Sequence, residues 1–239
     1  MPLSVVIVGI THWHAPRYMQ MLAARGARLV GASDADAIAG AAVAEQAGIL
    51  FISDTDQLIQ KTRPDFAIVL PRHDRATLEL STVAAQGVSM LVEKPMGRNA
   101  VEARASADAI RRYGVFASIC FPNRYLSIWS AYHKLADQDA LGTLMHAHFR
   151  TINGPPSRYI EYGVPWMLDP QISGVGAIRN LGIHGADAIV SLAGDRLLTL
   201  AGSHISSNGF HGAVEDFGSA IFSTSDGFTA TLEAGYTYA

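Results

Sequence analysis

The chain has 239 residues, enough for one large domain or two smaller ones, and its 49% hydrophobic and 16% charged residues suit a packed core and exclude a disordered polymer. A formal net charge of −3, with no block of like charges, argues against a nucleic-acid groove or a polybasic membrane patch and leaves small molecules as the expected partners. Cys120 is the only cysteine, which excludes an intrachain disulfide and a cysteine-rich metal site. With no basic region before the first apolar run and no apolar run near about eighteen residues, the expected location is cytoplasmic, with no membrane partner.

Val5 to Val8 is a continuous β-branched run ending at Gly9, the pattern of a strand buried on both faces of a parallel sheet. A helix pattern follows from Trp13 to Arg25 and closes at Gly26. The unit then repeats, with strands predicted at Arg28 to Ala32, Ile49 to Ile52, Phe66 to Leu70 and Val88 to Val92. Helices are predicted between them at Asp36 to Ala47, Asp54 to Lys61 and His73 to Gln86. A further helix over Asn99 to Tyr113 and a sixth strand over Val115 to Ile119 complete a doubly wound, dinucleotide-binding sheet.

After Phe121-Pro122 the texture changes. Tyr125, Ile128, Trp129, Tyr132, Leu135 and Ala136 fall at helical spacing, and Thr143 to Ile152 alternates like a half-exposed strand. The segment Asn153 to Gly174, rich in proline and aromatics, reads as a long functional loop. A helix is predicted from Gly176 to Ala193, then a hairpin of Phe217 to Ser223 and Phe228 to Tyr236 about Ser225-Asp226-Gly227, with one face buried. The expected fold is therefore α/β: an N-terminal Rossmann-type doubly wound parallel sheet over 1–121 and a C-terminal α+β domain on a mostly antiparallel sheet over 122–239.

The first strand ends in Gly9-Ile10-Thr11-His12-Trp13-His14, where a dinucleotide fold carries G-x-G-x-x-G; Thr11 and His14 replace the second and third glycines. A tight turn at Gly9 and free N–H groups at the helix start still suit a pyrophosphate, with Gly9, Thr11 and His12 as the contacts. Asp34 ends the second strand, where its carboxylate can accept from ribose hydroxyls. It would repel a 2′-phosphate, and no Arg or Lys follows until Lys61, so NAD is expected rather than NADP. Neither His12 with His14 nor His146 with His148 has a third ligand nearby in sequence, and no metal site is expected.

Glu93-Lys94-Pro95 at the end of the fifth predicted strand, after a fourth ending at Pro71, resembles the Gfo/Idh/MocA family of NAD(P)-dependent sugar and polyol oxidoreductases. The run from Ser173 to Asp187 is similar to that family's Gly-rich helix start followed by an acidic residue, a Gly, a His and a later Asp. Phe121 to Tyr125, with Asn123 and Arg124, is similar to its crossover into the second domain. The chain departs from the pattern in three places. Asn180 stands where most members have the Asp that partners the catalytic His, Val175 replaces a glycine, and Arg75 stands where a His is common.

The resemblance implies hydride transfer between NAD and a sugar, polyol or related hydroxyl or carbonyl compound. Lys94 would stabilise alkoxide character at the substrate oxygen, and His184 would take the hydroxyl proton, with Asn180 or Asp187 on its helix face. It places Pro71, Glu93, Lys94 and Asn123 among the cofactor contacts, Glu93 on the nicotinamide ribose and Pro95 after a cis bond. Substrate contacts would come from Lys94, His184 and the loop residues Arg158, Tyr159, Trp166 and Asp169. Two alternatives accompany this reading: an NAD-binding sensor of the same fold, and a sugar hydrolase or lyase that oxidises and reduces its cofactor within one cycle. The chain also ends earlier than family members usually do, so it is expected to be either a shortened form or an unusually short member, with the hairpin edge near Tyr236 covered by another subunit, giving a homo-oligomer through the second-domain sheet.

Overall fold

The structure is a computed structural model and describes residues 2–174 and 176–236. The chain divides into two compact units, one of residues 1–120 with 159–174 and the other of residues 121–158 with 175–239. The return of 159–174 to the first unit differs from the single boundary expected at 121/122. Its anchors are Tyr159, Val164, Met167 and Ser173, all buried, a cluster whose burial depends on tertiary packing rather than on any local pattern.

The first unit carries a five-stranded parallel sheet in the order β2-β1-β3-β4-β5, formed by β1 (Ser4–Val8), β2 (Arg28–Ser33), β3 (Phe66–Val69), β4 (Met90–Val92) and β5 (Ala117–Ile119). The strand order reverses between β1 and β3, the switch point at whose carboxyl ends ligands bind in such sheets. Val5, Val6, Ile7 and Val8 are all 2% exposed or less, as the β-branched run required, with one apolar cluster on each face of the sheet. The third of the six expected strands, Ile49 to Ile52, is not a strand: it makes one parallel bridge, Phe51 to Ala32, beyond β2. An edge position with Leu50 turned to solvent leaves too little burial to extend the pairing.

Helices α1 (Ala15–Ala24), α2 (Ala37–Gln46), α3 (Thr55–Thr62), α4 (Ala76–Ala85) and α5 (Ala100–Tyr113) fill the crossovers. Three start at side-chain caps: Asp36 accepts from Ile38 and Ala39, Asp54 from Gln57, and Asn99 from Glu102. The helix expected from His73 begins as a single 3-10 turn over His73–Arg75 before α4. The returning segment is not an open loop. It holds α7 (Arg158–Glu161), a 3-10 turn over Pro165–Leu168 and α8 (Pro170–Ser173).

The second unit holds a four-stranded sheet in the order β6-β9-β8-β7, from β6 (His146–Ile152), β7 (Thr199–Ser206), β8 (Phe217–Ser223) and β9 (Thr229–Gly235). The β6–β9 pair is parallel and the other two pairs are antiparallel. β9 is thus an inner strand and Tyr236 is fully buried, so the hairpin edge expected there does not exist. Strand β7, which no sequence pattern predicts, is the outer edge and mostly exposed, which is why it shows no apolar alternation. Phe228, Ala230, Leu232 and Ala234 face inward, where α10 (Gly182–Ala193) packs with Ile189 and Ala193.

The single helix expected over Gly176 to Ala193 is broken at Leu181 into α9 (Ala177–Asn180) and α10. The remaining helix, α6 (Ser127–Asp137), matches its amphipathic pattern in position but has no buried residue. No helix among the described residues is long and apolar enough to cross a membrane.

Candidate functional site

In the first unit one pocket opens at the switch point, lined by Gly9, Thr11, His12, Asp34, Asp36, Thr55, Pro71, Arg72, Arg75, Glu79 and Trp166, among others. It collects the expected residues Gly9, Thr11, His12, Asp34 and Pro71. Gly9 has φ +85, and a Cβ there would lie 2.0 Å from the Leu70 carbonyl oxygen, so the turn out of β1 passes hard against the end of β3. Asp34 Oδ2 accepts from both the Thr11 backbone N–H and the Thr11 hydroxyl, each at 2.8 Å, and its Oδ1 accepts from Asp36 N–H at 2.9 Å. Thr11, in place of the second glycine, thus ties the loop to the carboxylate that ends β2.

The free N–H groups expected at the start of α1 are largely engaged. His12 N–H donates to the Gly9 carbonyl, His14 N–H to His12 Nδ1, and Ala15 N–H to the His12 carbonyl, while Pro16 has none. The His12 ring and the loop's own carbonyls accept from these N–H groups, and a pyrophosphate would have to share these donors. The ribose end of the site fits a dinucleotide more closely. Its acceptor, Asp34, is only 8% exposed, and while Oδ2 already accepts twice, Oδ1 accepts once and has a further lone pair. The fold also brings in what spacing could not show: Arg72 and Arg75 lie in the Asp34 pocket although neither is near it in sequence.

Beside this pocket, β4 is followed directly by Glu93 and Lys94, 4% and 7% exposed, and the Lys94–Pro95 bond is cis. Burial alone would raise the Glu93 carboxyl, yet His14 at 3.3 Å, the Lys94 charge and the Tyr18 hydroxyl, which donates to it at 2.8 Å, hold it below the usual range. Burial, with His14, Lys94 and His73 around it, pushes His12 well below the ordinary histidine value, so His12 is neutral at neutral pH. Glu93 is therefore ionised at neutral pH at the carboxyl end of the sheet.

The residues expected to contact substrate are dispersed. Trp166 lines the Asp34 pocket and meets His73 edge-on at 5.0 Å. Tyr159 is 2% exposed and packs edge-on against Trp13, so it serves as a core residue of the first unit rather than as an open aromatic face. Asp169 accepts from Gln171 N–H and caps α8. Arg158, in the second unit, sits over the Tyr236 ring at 5.9 Å.

His184 and Asn123 line a second pocket, within the second unit, with Trp129, Tyr132, Phe149 and Arg150. His184 meets Phe121 edge-on at 6.0 Å. It is carried close to the sheet because its neighbour is Gly185, where a Cβ would fall 2.5 Å from Leu232 and 2.9 Å from Phe149. Asn180, 3% exposed, donates from its amide to the Tyr236 hydroxyl at 2.9 Å. Asp187 does not serve the imidazole, because both its oxygens accept from Arg124.

Glu215 went unnoticed in the sequence because nothing local marks it. Its carboxylate accepts from Gly176 N–H at 2.6 Å and Ile178 N–H at 3.0 Å, holding the start of α9 and hence the Asn180 to His184 stretch. Glu215→Ala should leave these two N–H groups without acceptors and lower stability by about 2–4 kcal/mol. Urea denaturation checks this, and an unchanged midpoint would show that the contact carries no weight.

Two family profiles match the sequence: "Oxidoreductase family, NAD-binding Rossmann fold" over residues 3–121, and "GFO/IDH/MocA C-terminal domain" over residues 129–239. The chain belongs to the Gfo/Idh/MocA family. Its first unit is the family's NAD-binding Rossmann domain. Among solved structures it is similar to GenD2 from gentamicin A biosynthesis in complex with NAD, with TM-score 0.84, 23% identity, and coverage of 100% of this chain and 67% of that one. It is also similar to an Agrobacterium radiobacter oxidoreductase in complex with NAD+, L-tartaric acid and magnesium, with TM-score 0.83, 19% identity, and coverage of 100% and 68%. A third is myo-inositol 2-dehydrogenase from Lactobacillus plantarum, with TM-score 0.82, 20% identity, and coverage of 98% and 70%. At these identities the likeness is one of fold. No curated protein matches the chain.

Proposed function

We propose that this Gfo/Idh/MocA oxidoreductase uses NAD, in preference to NADP, to oxidise or reduce a sugar, polyol or related hydroxyl or carbonyl compound. The observation that carries the proposal is Lys94, a buried cation beside the buried Glu93 carboxylate at the carboxyl end of β4, in the same unit as the Asp34 pocket. Three similar folds, two crystallised with NAD, one of those also with L-tartaric acid, and a third described as a myo-inositol 2-dehydrogenase, support the polyhydroxylated substrate class.

When bound, NAD supplies the hydride acceptor in the oxidising direction. Gly9, Thr11, His12, Asp34 and Pro71 are the proposed contacts for its adenosine and pyrophosphate portions, and Glu93 and Asn123 the contacts for the rest. Lys94 stabilises negative charge on the substrate oxygen as the hydroxyl proton departs. His184 is the proposed acceptor of that proton, since an imidazole titrates near neutral pH. Asn180, an amide, brings no charge to this neighbourhood. Arg158 and Trp166 are the remaining proposed substrate contacts. The exposed sheet face bearing His146, His148 and Arg150 is the proposed surface for self-association.

Incubation with NAD and a panel of polyols and sugars, followed by absorbance of the reduced cofactor, tests the reading. Net reduced cofactor supports the dehydrogenase, and product without it supports the hydrolase or lyase. NAD binding with no product from any compound supports a sensor. Asp34→Ala should weaken NAD by about tenfold or more, through the loss of one charge-assisted pair of hydrogen bonds, and weaken NADP less. Isothermal titration with both coenzymes reads this, and an equal loss for the two would remove Asp34 from the ribose.

A further inference from the structure

We propose that Asp74 is a coenzyme-specificity residue that acts through Arg72, pairing the Nε–Nη2 edge of its guanidinium and offsetting its charge, so that a 2′-phosphate beside Asp34 finds that cation already paired. The inference rests on the reading that the Asp34 pocket receives the adenosine ribose.

Arg72 follows Pro71 at the end of β3 and lines the same pocket as Asp34 and Asp36. Its Nε donates to Asp74 Oδ1 and its Nη2 to Asp74 Oδ2, both at 2.8 Å. This is the two-pronged geometry by which an arginine would otherwise grip a phosphate, and one carboxylate occupies both prongs. The Asp74 hydrogen bonds, with smaller help from the Asp34 and Asp36 charges, hold Arg72 more firmly protonated than a free arginine. The second arginine of the pocket, Arg75, lies 3.9 Å from Glu79. A pocket with two guanidinium groups would look suited to NADP by residue count alone. The pairings point the other way: Asp34 repels a 2′-phosphate directly, and Asp74 holds the cation that would offset the repulsion.

Arg72 and Asp74 are two residues apart, at the 3-10 turn leading into α4, so the pair is local and can be opened without disturbing the sheet. Asp74 touches no coenzyme in this scheme and is a positioning residue. Were it only a turn-stabilising acid, its removal would change stability, or the affinity for both coenzymes together, and not the ratio between them.

The test uses the full chain and measures the dissociation constants of NAD and NADP by isothermal titration. Asp74→Ala should tighten NADP by about tenfold and leave NAD within about twofold, the size expected when one charge-assisted contact becomes available. Asp74→Asn should shift the ratio the same way and by less. Adding Arg72→Ala to Asp74→Ala should return the ratio to that of the unaltered protein. An unchanged ratio in Asp74→Ala, an equal change for both coenzymes, or a gain that survives the loss of Arg72 would each overturn the proposal. If the unaltered protein binds NAD but Asp74→Ala leaves its preference intact, only the role of Asp74 falls. If the unaltered protein binds neither coenzyme, the reading of the Asp34 pocket falls with it.

Discussion

Lys94→Ala should lower turnover by about a thousandfold, roughly 4 kcal/mol in the barrier, while NAD affinity stays within about threefold. The size follows from burial. At 7% exposure the ammonium is poorly screened by water, and its charge would act on a substrate oxygen across a short, low-dielectric path. Lys94 is also one of the charges that depress His12 and stabilise the Glu93 carboxylate, so the field at this end of the sheet depends on it. Steady-state kinetics beside NAD titration separates the two effects. Normal turnover in Lys94→Ala would remove the lysine from the chemistry, and loss of NAD affinity alone would make it a cofactor ligand only. Lys94→Arg keeps the charge without the compact ammonium and should recover part of the loss.

Gly9→Ala should be the most damaging single methyl group in the first unit. At φ +85 an L-residue is strained by about 1–3 kcal/mol, and the added Cβ would stand 2.0 Å from the Leu70 carbonyl oxygen. Separating β1 from the end of β3 to relieve that overlap adds about 1–3 kcal/mol of packing loss. Against a total stability of about 5–15 kcal/mol, this is a large fraction. The expected result is a melting temperature lower by about 10 °C or more, together with loss of NAD binding, because the displaced turn carries Thr11 and its grip on Asp34. A melting curve unchanged to within a degree or two would show that the turn adapts freely.

Gly9 and Lys94 both lie in stretches that are plainly legible in the sequence. The run Val5 to Val8 must be buried on both faces whatever surrounds it, and Gly9 follows because only a residue without a side chain turns there beside Leu70. The repeat of short apolar strands and helices, with chirality and crossovers doing the rest, determines a parallel sheet with Glu93 and Lys94 at a strand end. In the second unit, the alternation from Phe228 to Tyr236 likewise foretold which side chains are buried.

What local pattern did not decide was whatever depends on a distant neighbour. Ile49 to Ile52 has the composition of a strand, but an edge position gave it one bridge. Thr199–Ser206 lacks strand character, yet β8 supplies its partner. The helix through His184 breaks at Leu181, and Glu215, far along the chain, holds its first turn. Asp187 is taken by Arg124, and Tyr159 by the core around Trp13. The sequence by itself determined the Rossmann sheet, the turn at Gly9 and the position of Lys94, because burial of a periodic apolar run is a local property. Only the tertiary structure decided that Arg72, Arg75 and Trp166 share a pocket with Asp34, because a pocket is assembled from the ends of separate strands and its electrostatics depend on which charges the fold brings together.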